Sequence, residues 1–163
     1  MDKKERFTKV IKENEGLIFK VTTIYTSNRD DQKDLYQDII YQLWKAFDSF
    51  RNESKISTWI YRVALNTAIT QFKKQKRRGP SVTVNELILK QVEHCDQVFE
   101  ERLKQMYAGI KTLNDLEKAL VLLYLEGRSY KEIAEISGLT LSNVGTRLSR
   151  IKEKLKTRII KNK

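Results

Sequence analysis

Apolar residues recur at helical spacing along most of this chain, and nowhere do they alternate with polar ones over a useful length. Between about residues 3 and 27, Phe7, Val10, Ile11, Ile18, Val21 and Ile24 supply apolar faces, which predicts one amphipathic helix. The polar break Ser27-Asn28-Arg29-Asp30 ends it and can cap a second helix. That helix runs to about residue 50, with Leu35, Ile39, Leu43 and Phe47 four apart on one face. Arg51-Asn52-Glu53-Ser54 reads as a loop. A third helix begins near Ser57 and runs into the basic stretch Lys73-Lys74-Gln75-Lys76-Arg77-Arg78, where Gly79-Pro80 stops it.

From residue 81 to about 97 the periodicity is mixed, as in a linker with room for a short helix. Helical pattern returns over 98–112, and three clearer helices follow at about 114–126, 129–137 and 141–158. Asn114 precedes Glu117, and Ser129 precedes Glu132, at the three-residue spacing of a capping box. The expected architecture is all-α: a helical domain over 1–78, a linker over 79–97, and a second helical domain over 98–163 that contains a helix-turn-helix.

Charge narrows the partners. Lys and Arg total 32 against 21 acids in 163 residues, a net charge of +11. A chain this basic attracts polyanions, nucleic acid first and an anionic membrane surface second. No apolar run approaches the roughly 20 residues needed to span a bilayer, so no membrane insertion is expected. Met1-Asp2-Lys3-Lys4-Glu5 does not resemble a secretory signal. Cys95 is the single cysteine, which excludes an intramolecular disulfide and fits the reducing cytoplasm.

The strongest local signal spans residues 129–150. Ile133, Ala134 and Leu139 suit the inside of a tight two-helix corner, with Gly138 where the chain must turn at positive φ. In the second helix, Leu141, Val144, Leu148, Ile151 and Leu155 form a continuous apolar stripe expected to be buried. Its other side presents Ser142, Asn143, Thr146, Arg147, Arg150 and Lys154: short hydroxyls, an amide and cations, which suit phosphates and base edges in a major groove. A plain hairpin with a solvated basic face is the bland account. The coincidence of turn, small residue, cap and polar face in so short a span favours duplex DNA.

The N-terminal half carries two contrasting faces. Asp31, Asp34, Asp38 and Gln42, with Gln37 nearby, fall on one side of the second helix and would repel DNA, so they should meet protein or water. The helix dipole accounts for Asp30 and Asp31 without a partner, but less well for Asp38. In the third helix Arg62, Asn66, Thr70, Lys73 and Arg77 make a polar, increasingly basic stripe, with Phe50, Trp59 and Tyr61 near its start. Aromatic rings beside cations suit unstacked bases. A core position for Trp59 and a solvated basic helix end remain the alternative.

Together these pieces resemble the extracytoplasmic-function (ECF) sigma factors, the smallest members of the principal bacterial sigma family. Asp34-Leu-Tyr-Gln-Asp-Ile-Ile-Tyr-Gln-Leu-Trp44 looks like the family's polymerase-binding helix. Ser57-Thr-Trp-Ile-Tyr-Arg-Val-Ala-Leu-Asn66 looks like its promoter-melting and −10-reading helix. Tyr130-Lys-Glu-Ile-Ala-Glu135, with the stretch from Val144 to Leu155, looks like its −35-reading helix-turn-helix. The resemblance implies that Asp34, Gln37, Asp38, Gln42 and Trp44 dock on the clamp helices of the largest subunit of core bacterial RNA polymerase. It implies that Phe50, Lys55, Trp59, Tyr61, Arg62, Asn66, Lys73 and Arg77 hold the displaced −10 strand, and that Ser142, Asn143, Thr146, Arg147, Arg150 and Lys154 meet the −35 duplex of promoter DNA. An anti-sigma factor is a further implied partner. The family commonly has an Asp four residues beyond the position of Asn66, followed by an Arg; here Thr70 and Phe72-Lys73-Lys74 stand there, which leaves the −10 preference open.

A conventional helix-turn-helix regulator that binds duplex DNA unaided would explain residues 129–158 but leave the acidic face without a task. An enzyme is a poor third. His94 is the single histidine, and with adjacent Cys95 it could start a soft metal site that nothing else completes. No catalytic residue, metal or cofactor is therefore implied.

Overall fold

The structure, a computed structural model, describes residues 2–76 and 97–161. The chain divides into two compact units, Met1–Ser81 and Val82–Lys163. The described residues are helical and include no strand, as the apolar periodicity predicts. The linker expected over 79–97, with His94 and Cys95, lies almost wholly outside them.

The first unit holds α1 (Lys3–Glu13), α2 (Glu15–Tyr25), α3 (Arg29–Ala46), a 3₁₀ turn (Phe47–Ser49) and α4 (Ile56–Lys76). One helix was expected over residues 3–27; two are present. Asn14 leaves the helical region at φ −122° and ψ 17°, its N–H bonds Ile11 O, and its side-chain amide donates to Val10 O at 2.8 Å. An amide that competes for backbone carbonyls beside Gly16 is enough to break the run. The polar break caps α3 as expected, since the Asn28 side chain accepts the Asp31 N–H at 2.8 Å.

Helices α2, α3 and α4 pack on one another. Ile18, Val21 and Ile24 of α2, Leu35, Ile39 and Leu43 of α3, and Ile60, Ala64 and Ala68 of α4 are fully enclosed. Each large aliphatic side chain buried there contributes about 1.5–3 kcal/mol. A buried polar knot crosses the same core: Gln32 Nε2 donates to the hydroxyls of Thr22 and Thr23, each at 3.1 Å. The threonines in turn donate to Phe19 O, so this polarity is hydrogen-bonded within the interior.

The second unit holds α5 (Gln97–Lys111), α6 (Asp115–Leu125), α7 (Tyr130–Ser137) and α8 (Leu141–Lys161). Asn114 and Glu117 form the full capping box, each accepting the other's backbone N–H. At α7 the Ser129 hydroxyl accepts the Glu132 N–H, while the Glu132 carboxylate takes Ser129 Oγ and the Arg128 guanidinium. The helix ends match their chemistry. Gly127 and Gly138 have φ of 79° and 78°, conformations that cost an L side chain strain. Core residues include Ile110, Leu120, Leu123, Ile133, Val144, Leu148 and Ile151. Where α5 meets α8, a Cβ on Gly109 would stand 3.2 Å from Leu155 Cδ2, so the missing side chain permits the close approach. Lys118 is buried nearby and Lys111 half-buried. Burial, reinforced by the charge of Lys118, pushes the Lys111 ammonium down to about 8.

Candidate nucleic-acid interface

Geometry bears out the helix-turn-helix corner. Ala134 O accepts the Gly138 N–H at 2.9 Å, the chain turns through left-handed Gly138, and Thr140 starts α8 by accepting the Asn143 N–H on its hydroxyl at 3.1 Å. Val144, Leu148 and Ile151 bury the inner stripe. Leu141, expected at the head of that stripe, is 58% exposed instead. It occupies the first turn, before α8 settles into its contacts with the other helices, and faces solvent beside Ser142.

The outward face of α8 presents Ser142, Thr146 and Arg150 to solvent, with Asn143 and Arg147 half-buried. Arg147 Nε donates to Asn143 Oδ1 at 3.0 Å, one helical turn away. This bond fixes the guanidinium plane and leaves its terminal nitrogens outside the pair. An oriented fork of this kind is what bidentate contact with a guanine edge needs. Lys154 has a different engagement. Its ammonium lies 2.7 Å from Glu117 Oε2, so it ties α8 to α6. Burial pushes the Glu117 carboxyl up, but hydrogen bonds from Lys154 and the Asn114 N–H, with the charges of Lys154 and Arg158, outweigh it and hold the group below its ordinary value. Farther along, Lys152 lies 4.1 Å from the ring centroid of half-exposed Tyr124.

In the first unit, Asp34, Gln37, Asp38 and Gln42 are all exposed along one side of α3, with Tyr41 among them. They line an open groove of about 790 Å³ whose far wall is Asn66, Thr67, Thr70 and Gln71 of α4. Trp44, expected on this face, lies elsewhere. It sits on the α1 side, 5.1 Å edge-to-face from Phe7, under the Lys3 ammonium at 4.1 Å. Thr70 is exposed, and its hydroxyl is turned to Asn66 O at 2.8 Å.

The aromatic part of the predicted strand site divides. Tyr61 is 1% exposed and Trp59 9%; both belong to the core and cannot offer a free ring face. Their positions as the sixth and fourth residues of a helix that packs on α2 and α3 decide this, because the helical face that carries Ile60, Ala64 and Ala68 is wholly enclosed. Phe50 is partly exposed and stacks 5.1 Å from Trp59, so Trp59 backs it from beneath. Lys55 and Asn66 are exposed and Arg62 half-buried. Lys73 lies on α4 with its side chain outside the described set, and Arg77 lies outside it altogether.

Helix α1 adds cations that were not among the expected site residues. A groove of about 480 Å³ runs between it and the segment after α3, lined by Arg6, Lys9, Phe47, Phe50, Asn52 and Ile56 among others. Asn52 takes φ 57°, unusual for a residue with a side chain. Arg6 and Lys9 give no local signal beyond their charge, and only the tertiary fold brings them to Phe50. Among the described residues, no group of three or more His, Cys, Asp or Glu could hold a metal ion, and no helix is long and apolar enough to cross a membrane.

Comparison with known proteins places this geometry. The Sigma-70 region 2 family matches residues 10–78, and the Sigma-70 region 4 family matches residues 103–155. The ECF RNA polymerase sigma-E factor of Escherichia coli K12 is 33% identical over 141 residues, which cover 79% of this chain and 74% of that protein. The protein of the same name from Haemophilus influenzae is 29% identical over 171 aligned positions, covering 96% and 88%. A sigma factor of Bartonella quintana, solved with the anti-sigma factor NepR, has the same fold at a TM-score of 0.76 and 21% identity, covering 95% of this chain and 97% of that one. CnrH, solved with the cytosolic domain of CnrY, superposes at 0.71 with 17% identity over 98% and 91%. The order of the two matched regions, the all-helical fold and the sigma-E relatives agree: this chain belongs to the ECF RNA polymerase sigma factors of the sigma-70 family.

Proposed function

We propose that this chain initiates transcription by bringing core bacterial RNA polymerase to promoters, with a separate surface for each task. The carrying observation is the exposed row Asp34, Gln37, Asp38 and Gln42 on α3 of a chain with net charge +11. Carboxylates displayed there repel DNA and suit a basic protein partner, which the family supplies as the clamp helices of the polymerase's largest subunit.

Phe50, Lys55, Arg62 and Asn66, with Trp59 as backing for Phe50, then hold the displaced −10 strand. Extracting a base from the stack costs a few kcal/mol, offset by ring stacking and by contacts to its edge. Ser142, Asn143, Thr146, Arg147 and Arg150 enter the −35 major groove, and exposed Leu141 is placed for apolar contact with a thymine methyl. Thr70 offers no carboxylate, so the −10 preference differs from that of family members with Asp there. The Bartonella quintana sigma factor was solved with an anti-sigma factor, and such a regulator acting in the cytoplasm is proposed for this chain as well.

The test reverses charge. Asp34→Lys with Asp38→Lys removes co-elution with core polymerase and leaves −35 duplex affinity unchanged. Retained co-elution would overturn the assignment of this face. Promoter affinity falls steeply with salt, because phosphate contacts release counterions; a flat response contradicts the DNA assignment. A regulator that binds duplex DNA unaided leaves both the α3 face and the region 2 match without explanation.

A further inference from the structure

Aromatic contacts in the first unit form an unbroken chain. Phe7 meets Trp44 edge-to-face at 5.1 Å and Phe47 at 5.3 Å. Phe47 lies 6.2 Å from Trp59, and Trp59 lies 5.1 Å from Phe50. The chain therefore starts on α1 and ends on the first residue of the loop assigned to the −10 strand. Lys3 adds a second tether: its ammonium is 2.8 Å from Asp48 Oδ2 and 4.1 Å from the Trp44 ring centroid. Both tethers land on residues 44–48, directly before that loop.

Phe7 is the buried residue of α1 and Val10 and Ile11 are half-buried, while Arg6, Thr8, Lys9, Lys12 and Glu13 are exposed. A helix of 11 residues is marginal by itself in water, so its order derives from docking. Once docked, it forms one wall of the groove whose other wall includes Phe50 and Asn52. Asn52, at φ 57°, takes the left-handed conformation that asparagine tolerates in turns. The loop is thus anchored by Trp59 against Phe50, and α1 acts on it through Phe47 and Asp48 just before it. The functional reading gives α1 no task of its own.

We propose that α1 is a strut that keeps loop 50–55 in its strand-binding form, and that Phe7 is the positioning residue through which it acts. The proposal rests on the assignment of that loop to the displaced −10 strand. A loop ordered beforehand binds without the entropic cost of ordering it on contact, so undocking α1 weakens capture while every strand-touching side chain remains. Lys3 and Asp48 set how firmly the strut seats.

The test uses the full chain and a short single-stranded DNA selected from a random pool, compared with copies carrying an abasic site at each position in turn. For the wild type, one position loses the most affinity when its base is removed. Phe7→Leu keeps most of the apolar bulk without the ring edge. It shrinks that base-dependent difference by about 2- to 10-fold, the worth of one edge-to-face pair, and leaves −35 duplex affinity unchanged. Lys3→Met, a surface change that does not threaten folding, acts in the same direction more weakly, and Phe7→Tyr restores the wild-type difference. A lowered unfolding temperature with an undiminished abasic difference in both Phe7→Leu and Lys3→Met would overturn the proposal, leaving Phe7 as core alone. A wild type indifferent to every abasic site would instead overturn the assignment of the loop, and the strut with it.

Discussion

Lys154 sits on the recognition helix with the residues assigned to DNA, yet its ammonium is 2.7 Å from Glu117. Lys154→Ala separates the two roles. The Glu117 side chain is 10% exposed and that of Lys154 48%, so the pair lies between the surface and buried extremes. Exposed pairs contribute about 0.2–1 kcal/mol, whereas stripping a buried charge of its partner costs about 3–5 kcal/mol. Half exposure of the lysine shifts the expected loss toward the lower end, about 1–2 kcal/mol. In a domain of this size that lowers the unfolding temperature by about 5–10 °C. Trp44 and Trp59 both belong to the first unit, so tryptophan fluorescence reports that unit alone. Hydrogen exchange of the α6 and α8 amides reports the second. Lys154→Ala should accelerate exchange there and leave the fluorescence transition in place. The salt slope of −35 binding should not change, because a lost phosphate contact would reduce it by about 0.9. Linkage gives an independent arm. Glu117 is held below its ordinary 4.5, so its contribution is fully present above that value and is lost as pH falls through the folded-state value. Lys154→Ala and Glu117→Gln should both flatten this acid-side loss. Unchanged exchange in α6 and α8 with a reduced salt slope would refute the reasoning and return Lys154 to the DNA face.

Arg147→Ala should weaken specific −35 duplex binding by about 1–3 kcal/mol and random duplex far less, and Asn143→Ala should show part of the same loss because Asn143 holds the guanidinium; equal losses on both duplexes would make Arg147 a phosphate contact. Gly138→Ala should cost about 1 kcal/mol in unfolding experiments through its φ of 78° alone, since a Cβ there meets nothing within 4 Å; a much larger loss would contradict that open surrounding. Lys111, pushed down to about 8 in the folded chain from an ordinary 10.5, sheds its proton there before the unfolded chain does. Stability of the second unit should therefore rise between those two pH values, and a pH titration of Lys111→Met should lack that increment.

The elements were legible where caps and periodicity agree. Asn28, Asn114 and Ser129 each start the helix that their spacing predicts, and Gly138 turns the corner at positive φ. The break at Asn14 was also written in the chain, as a carbonyl-seeking amide two residues before Gly16, but continuous apolar faces on either side concealed it. Recognition surfaces were less legible, because facing depends on partners distant in sequence. Tyr61 and Trp59 look like stacking platforms beside cations until α2 and α3 cover them. Trp44 packs on Phe7, from a helix read as an extension of α2, and not on the acidic face. Lys154 is indistinguishable from Arg150 by type and spacing; only the fold puts Glu117, 37 residues away, against it. Leu141 fits the apolar stripe in register, yet lies beyond what α6 and α7 reach.

The central claim is that three separate surfaces act together only on polymerase. Its most direct test mixes the purified chain with core bacterial RNA polymerase and follows transcription from a library of promoter-bearing fragments. The account predicts a stable complex that initiates at a subset of fragments where neither component initiates alone. Loss of initiation with Asp34→Lys and Asp38→Lys should occur without loss of −35 duplex binding. Sequence-specific duplex binding by the chain alone, with no complex and no polymerase-dependent initiation, would contradict it.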